Sequence, residues 1–571
     1  MDRTEFKRLK KLDTSSLRWY VADLLRETSE LRRDNACGVS VVFLALEKQS
    51  LNTEKLEEHI SKCFDSKTVT SYLYKVIDQE VEVIDYLSGK FESDMLKAGI
   101  LFEDFNRLSY SDFDATPEGL TNLALSILSI ASEDVVLDMG SGLGGFLTET
   151  AMAYNSKAQY GIEINTSNII ISSIRAYVSG VNIEYLQGNI LSQDFSRLGA
   201  TKIFSNFPLS ERISKIDTYI AHNPELKDIF SSTKRTITGD WAYVLAAYFT
   251  MTPGGKCVCI MSNAGTWNQA DAEIRKTVLE KGIINSVIAL PANLLPNTRI
   301  PSTMLVLSEN NTNIKMVDAS DMFTEGRRQN FLEEANIQDI LEALESSNEF
   351  SKTVKMADII ENDYVLNPIR YIDYADEIKD GVELGNIALS INRGASIASS
   401  ELNKLVTDTD TGINYLMLAN ISDGIIDSVL PNISDLDQKY ERYLINNNNV
   451  IVSKNAPFKV SRLENSDDRK IIANGNLYFI EINDKIINPI FVEAFLQSEL
   501  GIAQLTRLAK GTAMKNISIQ DLKRLKIPNV NRQQQDEIAD EYVDIKDQLR
   551  TLKRQIDIVR DKQARIIEEV E

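Results

Sequence analysis

Cysteine and histidine are scarce in this sequence. Its 571 residues include four Cys and two His. Cys257 and Cys259 lie two residues apart in a predicted strand, where an extended backbone makes them hard to pair. With only His59 and His222 as imidazole ligands, we expect no structural or catalytic metal site. The cysteine content therefore predicts a reduced protein without a disulfide framework.

Long apolar runs are also missing. The longest ones, such as residues 41–46, are far too short to span a bilayer. The first residues lack the pattern of a signal peptide. We therefore expect a cytoplasmic protein without a membrane segment.

Positive charge is outnumbered, with 62 Lys and Arg against 83 Asp and Glu and a net charge of −21. This balance argues against a protein that binds nucleic acid over its whole surface. Phosphate binding needs only a local group of cations, however, so a DNA-binding function stays open. The sequence shows no Walker phosphate loop or evident nuclease cluster, and we expect any DNA cleavage to belong to another protein.

Five segments with different patterns follow one another in a chain that is too long for one ordinary domain. Residues 1–108 show the three-and-four spacing of apolar residues that is typical of helices. Residues 109–323 alternate short β-rich runs with helical stretches. A charged helical connector is predicted over 324–378, a mixed α/β domain over 379–530, and one long helix over 531–571.

The alternating segment predicts a doubly wound, mostly parallel sheet of the Rossmann-like type. Its predicted strands are, in order, "DVVLDMG", "AQYGIEIN", "NIEYLQGNI", "KIFSNFP", "GKCVCIMSN", "INSVIALP" and "STMLVLSEN". Such sheets bind ligands outside the carboxyl ends of their strands, near the switch point. Motifs at those ends are therefore the candidates for a functional site.

The last segment has apolar residues at alternating spacings of four and three, which is the pattern of a coiled-coil seam. The positions are Ile538, Tyr542, Ile545, Leu549, Leu552, Ile556, Val559, Gln563, Ile566 and Val570. A helix of roughly 50 Å is too long to bury this stripe on a compact domain of its own. We therefore expect a partner helix, and packing along its own chain is the alternative.

A glycine-rich loop, "DMGSGLGG", follows the predicted strand "VVL" and begins at Asp138. Gly140, Gly142 and Gly145 have the G-x-G-x-x-G spacing, in which glycine lets the backbone turn sharply and approach a ligand. Glu163 ends the next strand, where a carboxylate can accept hydrogen bonds from both ribose hydroxyls. The spacing alone suits a dinucleotide enzyme equally well, and a tight turn without a ligand also stays open.

Three further motifs lie on either side of this loop in the sequence. In "ATPEGL" a Thr-Pro pair opens a helix, where the Thr116 hydroxyl can act as a cap. Free amide donors at such an end could hold a carboxylate, but taken alone the motif is only a cap. In "LQGNIL" Asn189 ends the third predicted strand. In "FSNFPLSER" Asn206 precedes Pro208 by two residues, on a loop after a short apolar strand.

The order of these motifs resembles that of adenine-N6 DNA methyltransferases, whose catalytic loops usually read Asn or Asp, Pro, Pro, aromatic. Residues 111–373 resemble the modification subunit of type I restriction–modification systems, and residues 239–307 do so along their whole length. The stretches "ELGNIALSINRGASI" and "GTAMKNISIQDLKRLKIPNVNRQQQDEIA" resemble half of a specificity subunit. The resemblance implies a methyltransferase domain over 109–323, a target recognition domain over 379–530, and a spacer helix after it.

The resemblance also implies S-adenosyl-L-methionine as the methyl donor. The implied binding residues are Thr116, Pro117, Glu118, Asp138, Gly140, Gly142, Gly144, Glu163, Asn189 and Asn206. The amino-acid end of the donor would lie against Thr116, Asp138 and the glycine loop, and the ribose on Glu163. The adenine would lie near Asn189, where the family usually has Asp.

The implied catalytic loop consists of Asn206, Phe207, Pro208 and Leu209. The Asn206 side-chain oxygen and the Phe207 carbonyl would accept both amine hydrogens of a flipped adenine and position its nitrogen for attack. Leu209 stands where the family has an aromatic that stacks on the base, a contact worth roughly 1–3 kcal/mol. We therefore expect transfer to be slowed by about ten- to a hundredfold, unless the loop adjusts so that Phe207 replaces the missing ring.

DNA contacts and partners follow from the recognition segment. Lys and Arg hold phosphates, and the candidate cations there are Arg393, Lys454, Lys459, Arg462, Arg507, Lys510 and Lys515. Because the recognition segment resembles half of a specificity subunit, we expect a homodimer through the last helix on a bipartite site in double-stranded DNA. A separate specificity subunit would serve equally, and a restriction subunit is a further candidate partner.

The sequence thus predicts a site-specific adenine-N6 DNA methyltransferase of a restriction–modification or related system. A catalytically weak or silent DNA-recognition protein that keeps the same fold is the alternative. A Rossmann oxidoreductase and a small-molecule methylase are the other classes that the motifs allow.

Overall fold

The computed structural model divides the chain into two compact units, residues 1–372 and 373–571. Within them, the described residues are 1–25, 31–51, 55–103, 105, 116–213, 220, 223–231, 237–296, 298–372, 378, 380–397, 399–434, 438–464, 469–509 and 515–565.

The first unit begins with a helical region, as the sequence predicts. Its helices are α1 (Arg3–Leu9), α2 (Ser15–Leu24), α3 (Asn35–Ser50), α4 (Leu56–Cys63), α5 (Lys67–Gln79), α6 (Val81–Lys90) and α7 (Ser93–Phe102). Apolar side chains from different helices, such as Leu17 of α2, Phe43 of α3 and Leu73 of α5, are fully buried against one another. Burial of this shared apolar surface stabilises the helical region.

The rest of the first unit is an α/β domain. Its strands are β1 (Val135–Met139), β2 (Ala158–Glu163), β3 (Glu184–Gln187), β4 (Lys202–Asn206), β5 (Arg212–Ile213), β6 (Ile237–Thr238), β7 (Lys256–Ser262), β8 (Ile284–Ala289), β9 (Ser302–Leu307), β10 (Asn313–Asp318) and β11 (Ser351–Lys355). Its helices are α8 (Glu118–Leu128), α9 (Gly145–Ala153), α10 (Thr166–Ser179), α11 (Pro224–Ser231), α12 (Asp240–Thr250), α13 (Ala272–Glu280), α14 (Glu334–Glu345) and α15 (Met356–Glu361).

Within the described part of this domain, nine strands form one sheet in the order β11-β10-β8-β9-β7-β4-β1-β2-β3. The pairs around β1 and β4 are parallel, whereas β9 and β11 run antiparallel to their neighbours. Helices α8 and α14 cover one face, and α12 and α13 cover the other. The prediction of a doubly wound, mostly parallel sheet is therefore confirmed.

Strand β1 lies at the topological switch point, because it pairs with β2 on one side and with β4 on the other. Asp138 is aligned with Gly161 of β2 and with Phe204 of β4. The carboxyl ends of these parallel strands meet at one edge of the sheet, which is where open α/β sheets bind ligands. The motifs predicted at those ends therefore converge on one crevice.

The segment 324–378, which was predicted as a helical connector, contributes to the sheet. It contains α14 and α15, but between them Ser351–Lys355 pairs antiparallel with β10 as an edge strand. Ser351 and Val354 are buried in this strand, and Val354 joins the apolar core under α12. One apolar anchor in five residues is too weak a pattern to predict a strand from sequence.

The second unit is a mixed α/β domain followed by a long helix. Its strands are β12 (Val382–Glu383), β13 (Ala388–Arg393), β14 (Val406–Thr407), β15 (Ile413–Leu416), β16 (Ile421–Ser422), β17 (Ile425–Ile426), β18 (Asn432–Ile433), β19 (Leu444–Ile445), β20 (Val450–Ser453), β21 (Val460–Arg462), β22 (Lys470–Ala473), β23 (Leu477–Ile482) and β24 (Lys526–Ile527). Its helices are α16 (Leu384–Ile387), α17 (Ser399–Leu405), α18 (Pro489–Gln497), α19 (Glu499–Leu508), α20 (Ile519–Lys523) and α21 (Arg532–Arg565). A four-stranded sheet, β13-β23-β20-β21, and a five-stranded sheet, β14-β18-β15-β22-β19, form its centre.

Helix α21 is attached to its own domain through a polar face. Lys546 is only 4% exposed in its side chain and lies 2.5 Å from Glu493, which is fully buried. Arg462 binds the other oxygen of Glu493 at 3.1 Å, and both cations also contact Glu464. Each buried charge therefore has a partner of opposite sign, which is the condition for tolerating charges inside a protein.

Potential metal ligands converge at one place within the described ranges. Glu47, His59 and Cys63 offer ligand atoms within 4.8 Å of one another. Glu47 and His59 already share a hydrogen bond of 2.7 Å, and Cys63 lies 3.2 Å from the Tyr177 hydroxyl. The absence of a metal site therefore stays a prediction. None of the described helices combines the length and the apolar character that crossing a bilayer requires.

Candidate active site

The glycine turn between β1 and α9 requires glycine at three positions. Gly140, Gly142 and Gly144 have backbone φ angles of +90°, +52° and +78°, which residues with a side chain rarely adopt. A Cβ atom at Gly140 or Gly142 would meet nothing within 4 Å, so these two glycines border open space. At Gly144, in contrast, a Cβ atom would lie 2.3 Å from the Tyr185 hydroxyl. The turn therefore exposes its backbone to the crevice at Gly140 and Gly142, and it packs against Tyr185 at Gly144.

Two acids lie beneath this turn. Glu163 is 7% exposed, and its carboxylate accepts hydrogen bonds of 2.8 Å from the backbone N–H groups of Gly142 and Asn165. Asp138 is 3% exposed, and its Oδ1 has no hydrogen-bond partner among the described residues. Burial raises the pKa of Asp138 well above its ordinary value, and the neighbouring Glu163 raises it further. An unpartnered buried carboxyl of this kind suits a ligand that brings its own donor or positive charge.

Thr116 and Asn206 are joined although they lie 90 residues apart. The Asn206 side-chain amide donates a hydrogen bond of 2.9 Å to the Thr116 hydroxyl. Thr116 does not cap α8: Pro117 is the N-cap residue, and no side chain makes a capping bond there. The interpretation of the Thr-Pro motif as only a cap is therefore wrong. The bond holds the Asn206 nitrogen and leaves the side-chain oxygen to face another partner.

The catalytic-loop candidates have different environments. Asn206 ends β4 and is joined to β1 because the neighbouring Ser205 hydroxyl donates to the Met139 carbonyl at 2.6 Å. Phe207 is 3% exposed, and its ring stacks on Tyr243 of α12 with a centroid distance of 4.9 Å. Pro208 is exposed. Because its ring is buried in the core, Phe207 could replace the missing aromatic only if the loop adjusts, and that replacement stays a prediction.

Leu209 is half-buried and packs against the apolar cluster on the α8 face of the sheet. The next residue, Ser210, has a φ of +58° and donates its N–H to Asp240 at 2.8 Å. The second oxygen of Asp240 accepts a hydrogen bond from Ser262 at the end of β7. Burial raises the pKa of Asp240, while its hydrogen bonds with Ser262 and Ser210 lower it. Asp240 thus fixes the end of the loop, a role that the sequence analysis missed; its only signal was an acid at the start of the helix in "GDWAYV".

Two other predicted donor-site residues lie at the margin of the crevice. Strand β3 ends at Gln187, two residues before Asn189, which was predicted to end it. The Asn189 side-chain oxygen accepts from the Leu191 N–H at 2.9 Å, and the adjoining Gly188 donates to the Glu163 carbonyl at 3.0 Å. Glu118 pairs instead with Lys10, which directly follows α1, at 2.6 Å, and the Glu118 side chain is 60% exposed. The geometry brings Asn189 next to Glu163 and turns Glu118 towards the helical region.

Two of the predicted DNA-binding cations have other roles. Arg462 is 7% exposed and bound to Glu493 and Glu464, so it is not available to a phosphate. Lys459 donates to the backbone carbonyls of Leu418 and Ile421 at 3.2 and 2.5 Å. Both predictions are corrected for the same reason: these cations neutralise or saturate polar groups of their own domain.

The remaining predicted cations are more accessible. Arg393 and Lys515 are exposed, and Arg393 donates to the Gly475 carbonyl at 2.7 Å. Lys454 and Arg507 are half-buried. Lys510 lies outside the described residues. The prediction that these residues contact DNA stays a prediction.

Two family models match the chain. Residues 113–380 match the model described as N-6 DNA Methylase, and residues 382–563 match the type I restriction modification DNA specificity domain. The strand order and the glycine turn at the switch point define the first region as a domain of the S-adenosylmethionine-dependent methyltransferase fold. The first region is therefore similar to N-6 DNA methylases, and the region that follows it is similar to type I specificity domains.

Known relatives match only part of the chain. The Type I restriction enzyme HindI methylase subunit of Haemophilus influenzae is 24% identical over 306 residues, which are 47% of this chain and 65% of that protein. The MjaVII methylase subunit of Methanocaldococcus jannaschii is 28% identical over 295 residues, 46% of this chain and 50% of that protein. The chain thus spans about half to two thirds of the length of these relatives.

A likeness among solved structures extends over both units. The type IIG restriction endonuclease BpuSI matches with a TM-score of 0.50 at 12% identity, covering 92% of this chain and 74% of that one. At this identity the likeness concerns the fold alone.

Proposed function

We propose that this protein is a site-specific DNA adenine-N6 methyltransferase that uses S-adenosylmethionine and serves a restriction–modification or related system. The proposal depends above all on the hydrogen bond between Asn206 and Thr116, at the carboxyl end of β4 and beside the glycine turn. This bond leaves an acceptor oxygen next to a crevice of bare backbone. An oriented acceptor at this place is what transfer to an amine requires, because it positions the nucleophile without a strong base.

The residues around the turn fit the proposed methyl donor. When bound, S-adenosylmethionine supplies an electrophilic methyl group. Asp138, which lacks a partner for one oxygen, would receive the donor's positively charged amino group, and Gly140 and Gly142 leave room for its backbone to approach. Glu163 uses one oxygen to bind Gly142 of the turn and the other to bind Asn165, and the remaining lone pairs keep capacity for ribose hydroxyls. Asn189, beside Glu163, would contact the adenine ring.

The target base would be handled by the loop after β4. An adenine must leave the helical stack before its amine can reach the donor. The Asn206 oxygen and the Phe207 carbonyl would accept its two amine hydrogens, while Asp240 and Tyr243 keep the loop in place. Leu209 would provide an apolar contact to the base instead of a stacked ring.

A weak or silent enzyme is the second candidate, and one observation favours it. The ring of Phe207 is buried against Tyr243, so the loop contains no aromatic side chain for the base. Loss of a stacking contact worth roughly 1–3 kcal/mol weakens the hold on the flipped base. We therefore propose an active enzyme whose transfer step is slow.

Helix α21 supports a proposed dimer. Its own domain covers the polar face that contains Lys546, whereas the apolar stripe lies roughly a quarter turn away around the helix. Six of the predicted seam residues are 42–63% exposed: Ile538, Ile545, Leu549, Leu552, Ile556 and Val559. Ile566 and Val570 lie outside the described residues.

A row of large exposed apolar side chains at this spacing is typical of a helix that pairs with another. A second copy of the chain would supply an identical helix, and two recognition domains would then read a bipartite site. A separate specificity subunit could supply the second helix instead, and a restriction subunit could join either assembly. The DNA substrate is consistent with the cytoplasmic location that the sequence predicts.

Methyl incorporation tests the proposal directly. The protein is incubated with tritiated S-adenosylmethionine and genomic DNA, and modified adenines are then mapped by single-molecule sequencing. We expect N6-methyladenine at one bipartite motif, and loss of incorporation with Asn206→Ala. Specific DNA binding without incorporation would instead identify a silent recognition protein.

A further inference from the structure

A short hairpin outside the proposed active site exposes two arginines. Thr324 and Phe331 pair through hydrogen bonds of 2.9 and 3.1 Å between their backbones. The intervening sequence is "EGRRQN", and Arg327 and Arg328 at its tip are exposed. A Cβ atom at Gly326 would lie 2.1 Å from the Gln329 carbonyl, so this tight turn depends on glycine.

The hairpin is fastened to the loop that follows β8. Asn330 donates its backbone N–H to the Asn293 carbonyl at 2.9 Å and its side-chain amide to the Ala292 carbonyl at 3.0 Å. The Asn293 side chain donates to the Arg328 carbonyl at 3.2 Å, and Gln329 donates to the Leu294 carbonyl. Bonds from both partners therefore fix the backbone under the arginines, which makes the tip a preorganised element.

The position of this hairpin relates it to the proposed active site. Strands β8, β1 and β4 run in one direction, so the loop after β8 lies at the same edge of the sheet as Asp138 and Asn206. Leu332, directly after the hairpin, touches α8: a Cβ atom at Gly119 would lie 2.5 Å from its carbonyl. Gly119 lies three positions after Thr116, the partner of Asn206, a span of at most about 11 Å. The end of the hairpin therefore lies within about 20 Å of the Asn206 amide, a distance that a few nucleotides of one strand cover.

The arginines are not paired with the acids around them. These acids are Glu325 in the hairpin itself, Glu333, which is engaged in capping α14, and Glu334, which accepts a hydrogen bond from Gln338. Among the described residues, neither Arg327 nor Arg328 forms an ion pair. In a chain with a net charge of −21, two adjacent guanidinium groups held without a carboxylate partner form a local site for an anion.

We propose that Arg327 and Arg328 bind backbone phosphates of the DNA strand that carries the target adenine, within a few nucleotides of the flipped one. The planar guanidinium fork matches phosphate oxygens in two parallel hydrogen bonds. Two such contacts at the rim of the crevice hold the strand while one base leaves the stack. This inference rests on the proposed function, because it takes the identity of the substrate from it.

The test is the salt dependence of DNA binding by the full-length protein. The variant Arg327→Ala/Arg328→Ala is titrated against fluorescein-labelled genomic DNA fragments of mixed sequence at several salt concentrations. The matched control is Lys281→Ala/Lys355→Ala, which removes the same charge from exposed positions before β8 and opposite the start of β10, at the other edge of the sheet. A third variant, Arg327→Lys/Arg328→Lys, keeps the charge but removes the forks.

Loss of two phosphate contacts lowers the slope of log Kd against log salt by about two. We expect this change for the alanine pair only, together with a higher KM for DNA and unchanged binding of S-adenosylmethionine. The lysine pair should keep the slope but bind more weakly. A slope and a KM for DNA equal to those of the control would overturn the inference.

The two proposals can fail separately. If the unaltered protein transfers no methyl groups but the alanine pair still lowers the slope, the phosphate contact stands and the proposed chemistry is wrong. If methyl transfer occurs and the alanine pair behaves like the control, the chemistry stands and the hairpin has no role in holding DNA.

Discussion

Replacing Thr116 with valine separates the two interpretations of the Thr-Pro motif. Valine has nearly the shape of threonine but lacks the hydroxyl, so the variant removes the acceptor of the Asn206 hydrogen bond. A capping residue would contribute to the stability of α8, and its loss would lower the free energy of unfolding by about 0.5–2 kcal/mol. Since Thr116 makes no capping bond, we expect Thr116→Val to lower the rate of the catalytic step and to leave the free energy of unfolding unchanged.

The magnitude follows from the kind of bond that is removed. A hydrogen bond between neutral groups contributes about 0.5–1.5 kcal/mol net, because water can partly replace the lost partner. If this energy serves to orient the Asn206 oxygen, kcat should fall by about two- to twelvefold. Asn206→Ala removes the acceptor itself, and there we expect a loss of at least about a hundredfold.

The assay is single-turnover methyl transfer from labelled S-adenosylmethionine at saturating DNA, combined with calorimetric measurement of cofactor affinity. Thr116→Ser keeps the hydroxyl and should retain most of the rate, whereas Thr121→Val, the same change in a buried position of α8, should leave kcat unchanged. A Thr116→Val protein with an unaltered kcat and a lowered melting temperature would show that Thr116 stabilises α8 as a cap and does not orient Asn206.

Three further predictions test the loop, the buried acid and the helix. Leu209→Phe should raise kcat about five- to a hundredfold if a ring at this position stacks on the base; an unchanged rate contradicts that role. The pKa of Asp138 is raised in the folded protein, so the free energy of unfolding falls as the pH rises above the ordinary carboxyl pKa. In neutral solution without cofactor, Asp138→Asn should therefore be more stable than the unaltered protein. The difference in stability should shrink at acidic pH, where the Asp138 carboxyl is protonated in the folded and the unfolded protein. The variant should bind S-adenosylmethionine roughly ten- to a hundredfold more weakly. Equal thermal unfolding curves at neutral pH would contradict the buried, unpartnered state of Asp138. Ile545→Glu/Leu552→Glu should convert the assembly to monomers in analytical ultracentrifugation without unfolding it, because both side chains are about half exposed; a monomeric unaltered protein contradicts the dimer.

Local patterns predicted seven of the nine described strands of the sheet, because those seven carry enough apolar residues to identify them, whereas β10 and β11 were not predicted. Strand β7 is an example, since six of its seven residues are buried. The order of strands was not predictable in the same way. Strand β9 follows β8 in the chain, yet it inserts antiparallel between β8 and β7. The position of a strand in the sheet depends on how helices and neighbouring strands bury the apolar faces of the whole sheet, and not on the sequence of that strand alone.

Side-chain partners were the least predictable feature. Nothing near Arg462 in the sequence indicates that it binds Glu493, because that acid lies 31 positions away. Asp240 was overlooked for the same reason, since the loop it fixes is 30 residues upstream. A charge that looks free in the sequence can be neutralised by any acid that the fold brings near.

The sequence alone determined the fold class, the glycine turn and the exposed stripe of the last helix, because each depends on spacing within one element or one turn. Only the tertiary structure decided that Thr116 holds Asn206, that Asp138 is buried with an unpartnered oxygen, and that the Phe207 ring stacks on Tyr243. Those properties arise from atoms that are distant in the chain and meet only when the switch point of the sheet is assembled.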